Sequence, residues 1–225
     1  MKVLLIHGDD TYNSYKYLCE LIKTSKKKNW QIIKIDPKKK EKLSDNIAQN
    51  SLFEKKRLFI LENYKSLGKA DLKWIKDKLE DTQGYLVIYE RGKIQAGFIK
   101  AVEKSKKEKT FELPSVVFKF LDAFYPGNGK EALNLLHLVK KRQPVEFLFT
   151  MLSRHLKDLY WVSIDPSSIP YASWRVSKLE KQAKRFPEEK IKNIIKILSD
   201  LDIKVKTTSE SLEDSLDLII LQELE

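Results

Sequence analysis

The stretch V-L-L-I-H-G-D-D, Val3 to Asp10, decides how the chain is read. An apolar run ending in His7 predicts a short strand over Val3–His7. Gly8 then permits a tight bend, and one of the two following acids can cap a helix. From Thr11 to about Lys28, Tyr15, Leu18 and Ile22 recur at helical spacing with Cys19 and Leu21 adjacent, so an amphipathic helix follows, with Cys19 expected in the core. Working outward, the alternation continues. Ile32–Ile35 is strand-like and stops at Asp36-Pro37. A helix spans about Lys42–Asn50, then a strand Arg57–Glu62, a helix Leu72–Leu79 and a strand Tyr85–Tyr89. The last of these, Y-L-V-I-Y, is continuous and rich in β-formers, which predicts a central strand. Phe98–Val102 sits in a further helix, and Phe111–Leu113 is expected as a last edge strand. Repeated β-α-β order argues for a parallel sheet covered by helices.

Pro114 marks a break. Beyond it the pattern is helical throughout: Val116–Phe124, Glu131–Lys140, Val145–Val162, Trp174–Arg185, Pro187–Lys206 and Leu212–Leu224, with turns at Pro126–Gly129, Gln143-Pro144, Asp165-Pro166 and Phe186-Pro187. The final helix is apolar nearly all round, which predicts burial among its neighbours. The fold class is α/β followed by all-α, with domains over 1–114 and 115–225.

Charge is distributed unevenly. The net charge is +11; residues 1–110 hold 26 Lys+Arg against 15 Asp+Glu, and the remainder 17 against 17. A basic half joined to a neutral helical half suggests one part near an anionic partner and another given to packing. Lysine clusters at 26–28, 38–40 and 104–109 read as solvated loops and helix ends. A single cysteine excludes an intramolecular disulfide and suits a reducing compartment. The opening apolar run is too short for a signal-peptide core or a membrane span, so a cytoplasmic protein with no membrane partner is expected.

Catalytic patterns are scarce. A phosphate-binding loop needs glycines, backbone N–H groups and a Lys after the first strand. His7 to Ser14 instead reads H-G-D-D-T-Y-N-S, which puts two carboxylates where a triphosphate would lie. Asp9 and Asp10 could hold Mg²⁺ in an α/β phosphotransferase or nuclease, or could serve as helix caps. Gly127-Asn128-Gly129-Lys130 is either a weak anion nest or a plain interhelical turn. His7, His137 and His155 are scattered and lack a second ligand at metal spacing. Trp30, Trp74, Trp161 and Trp174 are either packing residues or a stacking platform for bases.

One segment remains, Q-N-S-L-F-E-K-K-R-L-F-I-L-E-N from Gln49 to Asn63. Leu52 and Phe53 stand together at a helix end, separated from the next strand by the charges of Glu54–Arg57. Such a pair either fills the core or plugs a pocket on another protein.

The chain resembles the delta subunit of bacterial DNA polymerase III, the clamp-loader wrench. Three stretches carry the likeness: L-L-I-H-G-D-D-T-Y at the first strand and turn, S-L-F-E-K-K-R-L-F-I-L-E-N, and the helical run from V-F-K-F-L-D-A-F through L-S-D-L-D-I-K-V-K-T. The resemblance implies an AAA+-like sheet domain that has lost its nucleotide loop, and a helical collar-like domain. It implies a non-catalytic DNA-replication subunit that binds and opens the sliding clamp (beta) for loading on primed DNA. The clamp contact would fall on Leu52 and Phe53 with Ser51, and Lys55, Lys56 and Arg57 would form a rim or face DNA. No cofactor is implied, since ATP would be bound by the gamma/tau subunits that the helical domain joins together with delta-prime. One departure stands out: the family's small middle helical domain is missing or reduced to a linker, because Phe111–Pro114 runs almost directly into the helix at Val116. Two rivals stay open: the Asp9/Asp10 enzyme and a general basic nucleic-acid-binding module.

Overall fold

The computed structural model describes residues 1–39, 43–48, 56–79, 82–102, 106–187 and 189–225. The chain divides into two compact units, Met1–Leu113 and Pro114–Glu225.

The first unit runs β1 (Lys2–His7), α1 (Thr11–Lys27), β2 (Gln31–Ile35), α2 (Leu43–Ala48), β3 (Arg57–Glu62), α3 (Lys69–Lys78), β4 (Tyr85–Tyr89), α4 (Ala96–Ala101) and β5 (Lys106–Thr110). The five strands are all parallel, in the order β2-β3-β4-β1-β5, so β4 is central as its composition predicts. A parallel sheet buries both faces. Val3, Leu5, Phe59, Leu61, Leu86 and Ile88 face one core, in which Ile47, Ile75 and Phe98 of α2, α3 and α4 also lie. Ile6, Leu58, Ile60, Val87 and Tyr89 face the other, where α1 contributes Leu18. Helix α1 is the one helix among the described residues that contributes to this second core.

Three expectations are corrected. The edge strand is the lysine-rich Lys106–Thr110, and Phe111–Leu113 lies outside any strand. An edge strand pairs through its backbone alone, here with β1, so it needs no apolar alternation, and its lysines discourage a further strand from adding. Cys19 is exposed on α1 instead of lying in the core, because the helix turns Leu18 inward one residue earlier.

The second unit is helical throughout: α5 (Ser115–Ala123), α6 (Gly129–Lys140), α7 (Val145–Ile164), α8 (Ser173–Ala183), α9 (Lys190–Thr207) and α10 (Leu212–Leu224). Its core holds Phe120, Phe124, Leu136, Leu152, Ile194 and Ile220. The third correction concerns α10. Leu216, Ile219, Ile220 and Leu224 are buried, but Leu218 and Leu221 are exposed, so the helix buries one side only. Gly127-Asn128 is a turn leading into α6 at Gly129: the Gly127 N–H donates to Leu224 O at 2.6 Å, and the Asn128 side chain donates to Ala123 O at 2.8 Å.

A buried glutamine ties this unit together. Gln182 Nε2 donates to the carbonyls of Leu121 (2.8 Å) and Phe124 (3.0 Å) at the end of α5, where Leu121 O also accepts from Phe124 N at 3.3 Å. Its Oε1 lies 3.1 Å from His155 Nε2. Burial is the main cause that holds the His155 pKa below the ordinary imidazole value; the Gln182 hydrogen bond opposes it. A depressed histidine is neutral in the fold and charges more readily once unfolded. Stability is therefore full above the unfolded pKa, near about 6.5, and falls as pH drops through that value toward the folded one. We expect the thermal midpoint of the protein to fall between about pH 7 and about pH 5, and His155→Asn to flatten that slope.

Candidate functional site

In an open parallel sheet, ligands gather beyond the carboxyl ends of the strands where the strand order reverses. Here that point lies between β1 and β4. Gly8, at φ +129, leaves β1 and forms an isolated bridge with Gly92, donating to Gly92 O at 2.9 Å. Phe111, just past β5, crosses over the same spot. Its N–H donates to His7 O at 2.7 Å, and its carbonyl accepts from Asp10 N at 3.0 Å.

Three amides at the start of α1 are committed as well. Thr11 N donates to Asp9 O, Asn13 N to Asp10 Oδ1 and Ser14 N to Asp10 O, each near 3 Å. A phosphate at a helix N-terminus needs such amides free and pointing outward. In this chain its own backbone and one aspartate take those of Thr11, Asn13 and Ser14. The shallow mouth outside is lined by Tyr12, Tyr15, Lys16, Tyr89 and Arg91.

Asp9 is exposed and Asp10 buried. Asp10 Oδ1 accepts from Asn13 N at 3.0 Å, and Oδ2 from the Asn13 side-chain amide at 2.7 Å, so Asp10 is a cap with both oxygens in use. Among the described residues no cluster of His, Cys, Asp and Glu is arranged to hold a metal ion. Removing the cap by Asp10→Ala is expected to cost about 1–2 kcal/mol in urea unfolding, and Asp10→Asn less than half of that.

His7, also buried, sits beside this closure. Ile94 N–H donates to His7 Nδ1 at 3.4 Å, so the proton sits on Nε2, which donates to Glu108 Oε1 at 3.0 Å. That hydrogen bond, more than Lys106, holds the Glu108 carboxyl below the usual carboxylate range. No sequence pattern links His7 to Glu108; they meet because β5 pairs directly with β1.

Of the predicted contact residues, Ser51, Leu52, Phe53 and Lys55 lie outside the described residues. Lys56 and Arg57 lie at the amino end of β3. Lys56 is exposed with Nζ 6.0 Å from the Trp30 ring, and Arg57 lies 5.2 Å from the Phe59 ring.

The helical unit carries its own polar centre, which the sequence reading passed over. Buried Asp158 on α7 accepts from Arg175 Nη2 at 3.2 Å and from the Tyr171 hydroxyl at 3.1 Å, while the Arg175 guanidinium lies 3.7 Å from the Tyr171 ring. Asp158 and Arg175 border a cleft of about 200 Å³ between α5, α7 and α8, flanked by exposed Phe118 and Trp174. Ile164, Ile203 and Leu218 are exposed elsewhere on the unit. Among the described residues no helix is long and apolar enough to cross a membrane.

The architecture is thus a parallel α/β unit with a closed switch point, followed by a helical unit. No family model and no curated protein sequence matches the chain. Among solved structures, the Bacillus subtilis DNA clamp loader delta protein is similar over 100% of this chain and 95% of its own, at 16% identity and a TM-score of 0.50. That likeness gives the fold, a parallel α/β unit followed by helices. The Thermotoga maritima RuvB structure aligns with 89% of this chain and 69% of its own at 14% identity, TM-score 0.34. A DNA polymerase III gamma subunit-related protein from the same organism aligns with 100% and 86% at 14% identity, TM-score 0.32.

Proposed function

We propose that the chain is a delta-type subunit of a replicative clamp loader, non-catalytic itself, that grips and opens the sliding clamp for loading on primed DNA. The observation that carries this reading is the extent of the likeness to the clamp loader delta protein, which runs through both units and nearly the whole of each chain. The closed switch point supports the assignment of ATP to neighbouring subunits. The amides of Gly8, Asp10 and Asn13, at the place where a triphosphate would lie, are engaged by Gly92, Phe111 and Asp10. Both oxygens of Asp10 hold Asn13, which weighs against the Mg²⁺-dependent enzyme.

In this reading Leu52 and Phe53, with Ser51, enter an apolar pocket on the clamp, and Lys55, Lys56 and Arg57 line its rim. The helical unit joins gamma/tau and delta-prime, and its exposed Phe118, Trp174 and Leu218 suit such contacts. Four residues, Phe111–Pro114, connect β5 to α5, so no middle helical domain intervenes and the subunit reaches its neighbours through the helical unit alone. A subunit of the replication machinery works in the cytoplasm.

The test is binding of the full chain to the purified clamp without nucleotide, followed by the same measurement on Leu52→Ala/Phe53→Ala. Failure of the wild-type chain to bind the clamp would sink the proposal. Undiminished binding by a folded double variant would sink the site.

A further inference from the structure

At the end of the sheet opposite the closed switch point, the described residues leave a cleft. With one helix contributing to the α1 face, the amino ends of β1, β4 and β5 leave a cleft of about 700 Å³. Its floor is Leu4, Leu58 and Val87, and its wall is Tyr17, Leu21 and Thr24 of α1. Trp30 and Tyr85 line it as a stacked pair, with ring centroids 4.7 Å apart and planes inclined by 28°. Cations surround the pair. Lys2 Nζ lies 6.0 Å from the Tyr85 ring and Lys56 Nζ 6.0 Å from the Trp30 ring. Lys28, Lys106 and Lys107 complete the rim, and among the described residues no carboxylate lines the cleft. Lys106 pairs with Glu108, whereas Lys2, Lys28, Lys56 and Lys107 pair with no described carboxylate.

We propose that this cleft binds single-stranded nucleic acid, with a base stacked on the Trp30–Tyr85 pair and the flanking phosphates held by Lys2, Lys28 and Lys107. Two requirements of that ligand are met together. A sequence-tolerant single-strand site combines a positive groove that follows the backbone with aromatic faces for the bases. The lysines answer the phosphates through counterion release. The half-buried aromatic pair offers a π surface that a duplex, with its bases already stacked on each other, cannot use. An acidic protein segment would answer the lysines and leave the rings without a partner. Lysines at 6.0 Å from each ring can swing from the π face to a phosphate when a base arrives.

The site is built from described residues only and is measured on the chain alone, with no clamp present. The probe is a fluorescein-labelled oligothymidylate of about 20 nucleotides at about 50 mM salt, read by anisotropy and by quenching of tryptophan fluorescence. The expected result is saturable binding that is salt-dependent and weaker for a blunt duplex of equal length. Lys2→Glu/Lys107→Glu, on exposed positions, should weaken it about tenfold or more and lower the salt slope by about 1.4, about 0.7 for each phosphate no longer neutralised. Trp30→Leu should weaken it about tenfold with unaltered circular dichroism, and should remove most of the quenching. Absence of saturable binding overturns the proposal, as does wild-type affinity in both variants. Displacement of the oligonucleotide by polyglutamate together with wild-type affinity in Trp30→Leu also overturns it, and assigns the cleft to an acidic protein partner.

Discussion

Leu52→Ala/Phe53→Ala is expected to reduce clamp affinity by about 100-fold while leaving the chain folded. Burying a Leu and a Phe stabilises a contact by about 1.5–3 kcal/mol each, so the pair contributes roughly 3–6 kcal/mol before association costs. Association costs offset part of that; a net loss of about 2.8 kcal/mol corresponds to about 100-fold. Anchors of this kind dominate an interface while neighbouring contacts exclude water. Charge reversal at Lys56, exposed at the start of β3, should therefore change affinity by less than about tenfold, and mainly through the association rate. Ring opening adds a stricter requirement. A contact indifferent to the closed and sprung clamp shifts neither, so the wild-type chain should bind a clamp variant with a weakened ring interface more tightly than the closed ring. The double variant should lose that preference together with its affinity. Surface plasmon resonance on both clamps, with urea unfolding of both proteins as the control, gives each number. A double variant with unchanged stability and unchanged affinity would place Leu52 and Phe53 outside the contact.

Legibility differed sharply between the centre of the sheet and its edge. Strands β3 and β4 coincide with their predicted limits because Leu58–Leu61 and Leu86–Ile88 are buried on both faces, and a doubly buried strand is a continuous apolar run. Strand β5 carries no such mark. Its residues Lys106–Thr110 pair with β1 through their backbone and carry polar side chains, so an apolar rule passes over them and settles on Phe111. Phe111 is apolar for another reason: its ring packs 5.6 Å from Tyr17 while its backbone closes the end of β1.

The functional surfaces were less legible still. That His7–Ser14 lacks the phosphate-loop pattern is read directly, but the means of closure depends on Gly92 and Phe111, far along the chain. Trp30 and Tyr85 stack because the turn before β2 and the start of β4 meet across β3, a juxtaposition set by strand order. The pair Leu52-Phe53 was drawn out by the resemblance of its flanks, since two adjacent apolar residues look the same in a core and on an interface.

Gly8→Ala is expected to destabilise the protein by about 4 kcal/mol, more than any cap or surface change. Two costs combine. Gly8 sits at φ +129, where a side chain strains the backbone by about 1–3 kcal/mol. An added Cβ would also lie 2.0 Å from the Phe111 carbonyl oxygen and 2.8 Å from its nitrogen, both backbone atoms that no rotamer change can move. Relief requires Phe111 to withdraw, which breaks its hydrogen bonds with His7 O and Asp10 N, at about 0.5–1.5 kcal/mol each. Gly92→Ala isolates the first cost: φ is +120 there, but nothing lies within 4 Å of the new Cβ, so a loss of about 1–2 kcal/mol is expected. Urea midpoints for the two variants measure the difference. Equal losses would mean that Phe111 yields freely and that the switch point is only loosely shut; a loss at Gly8 larger by about 2 kcal/mol or more means it is held closed. In a phosphate loop glycine lets an anion approach the backbone. Here the same absence of a side chain admits the chain's own carbonyl, and that carbonyl takes the Asp10 amide that a phosphate would need.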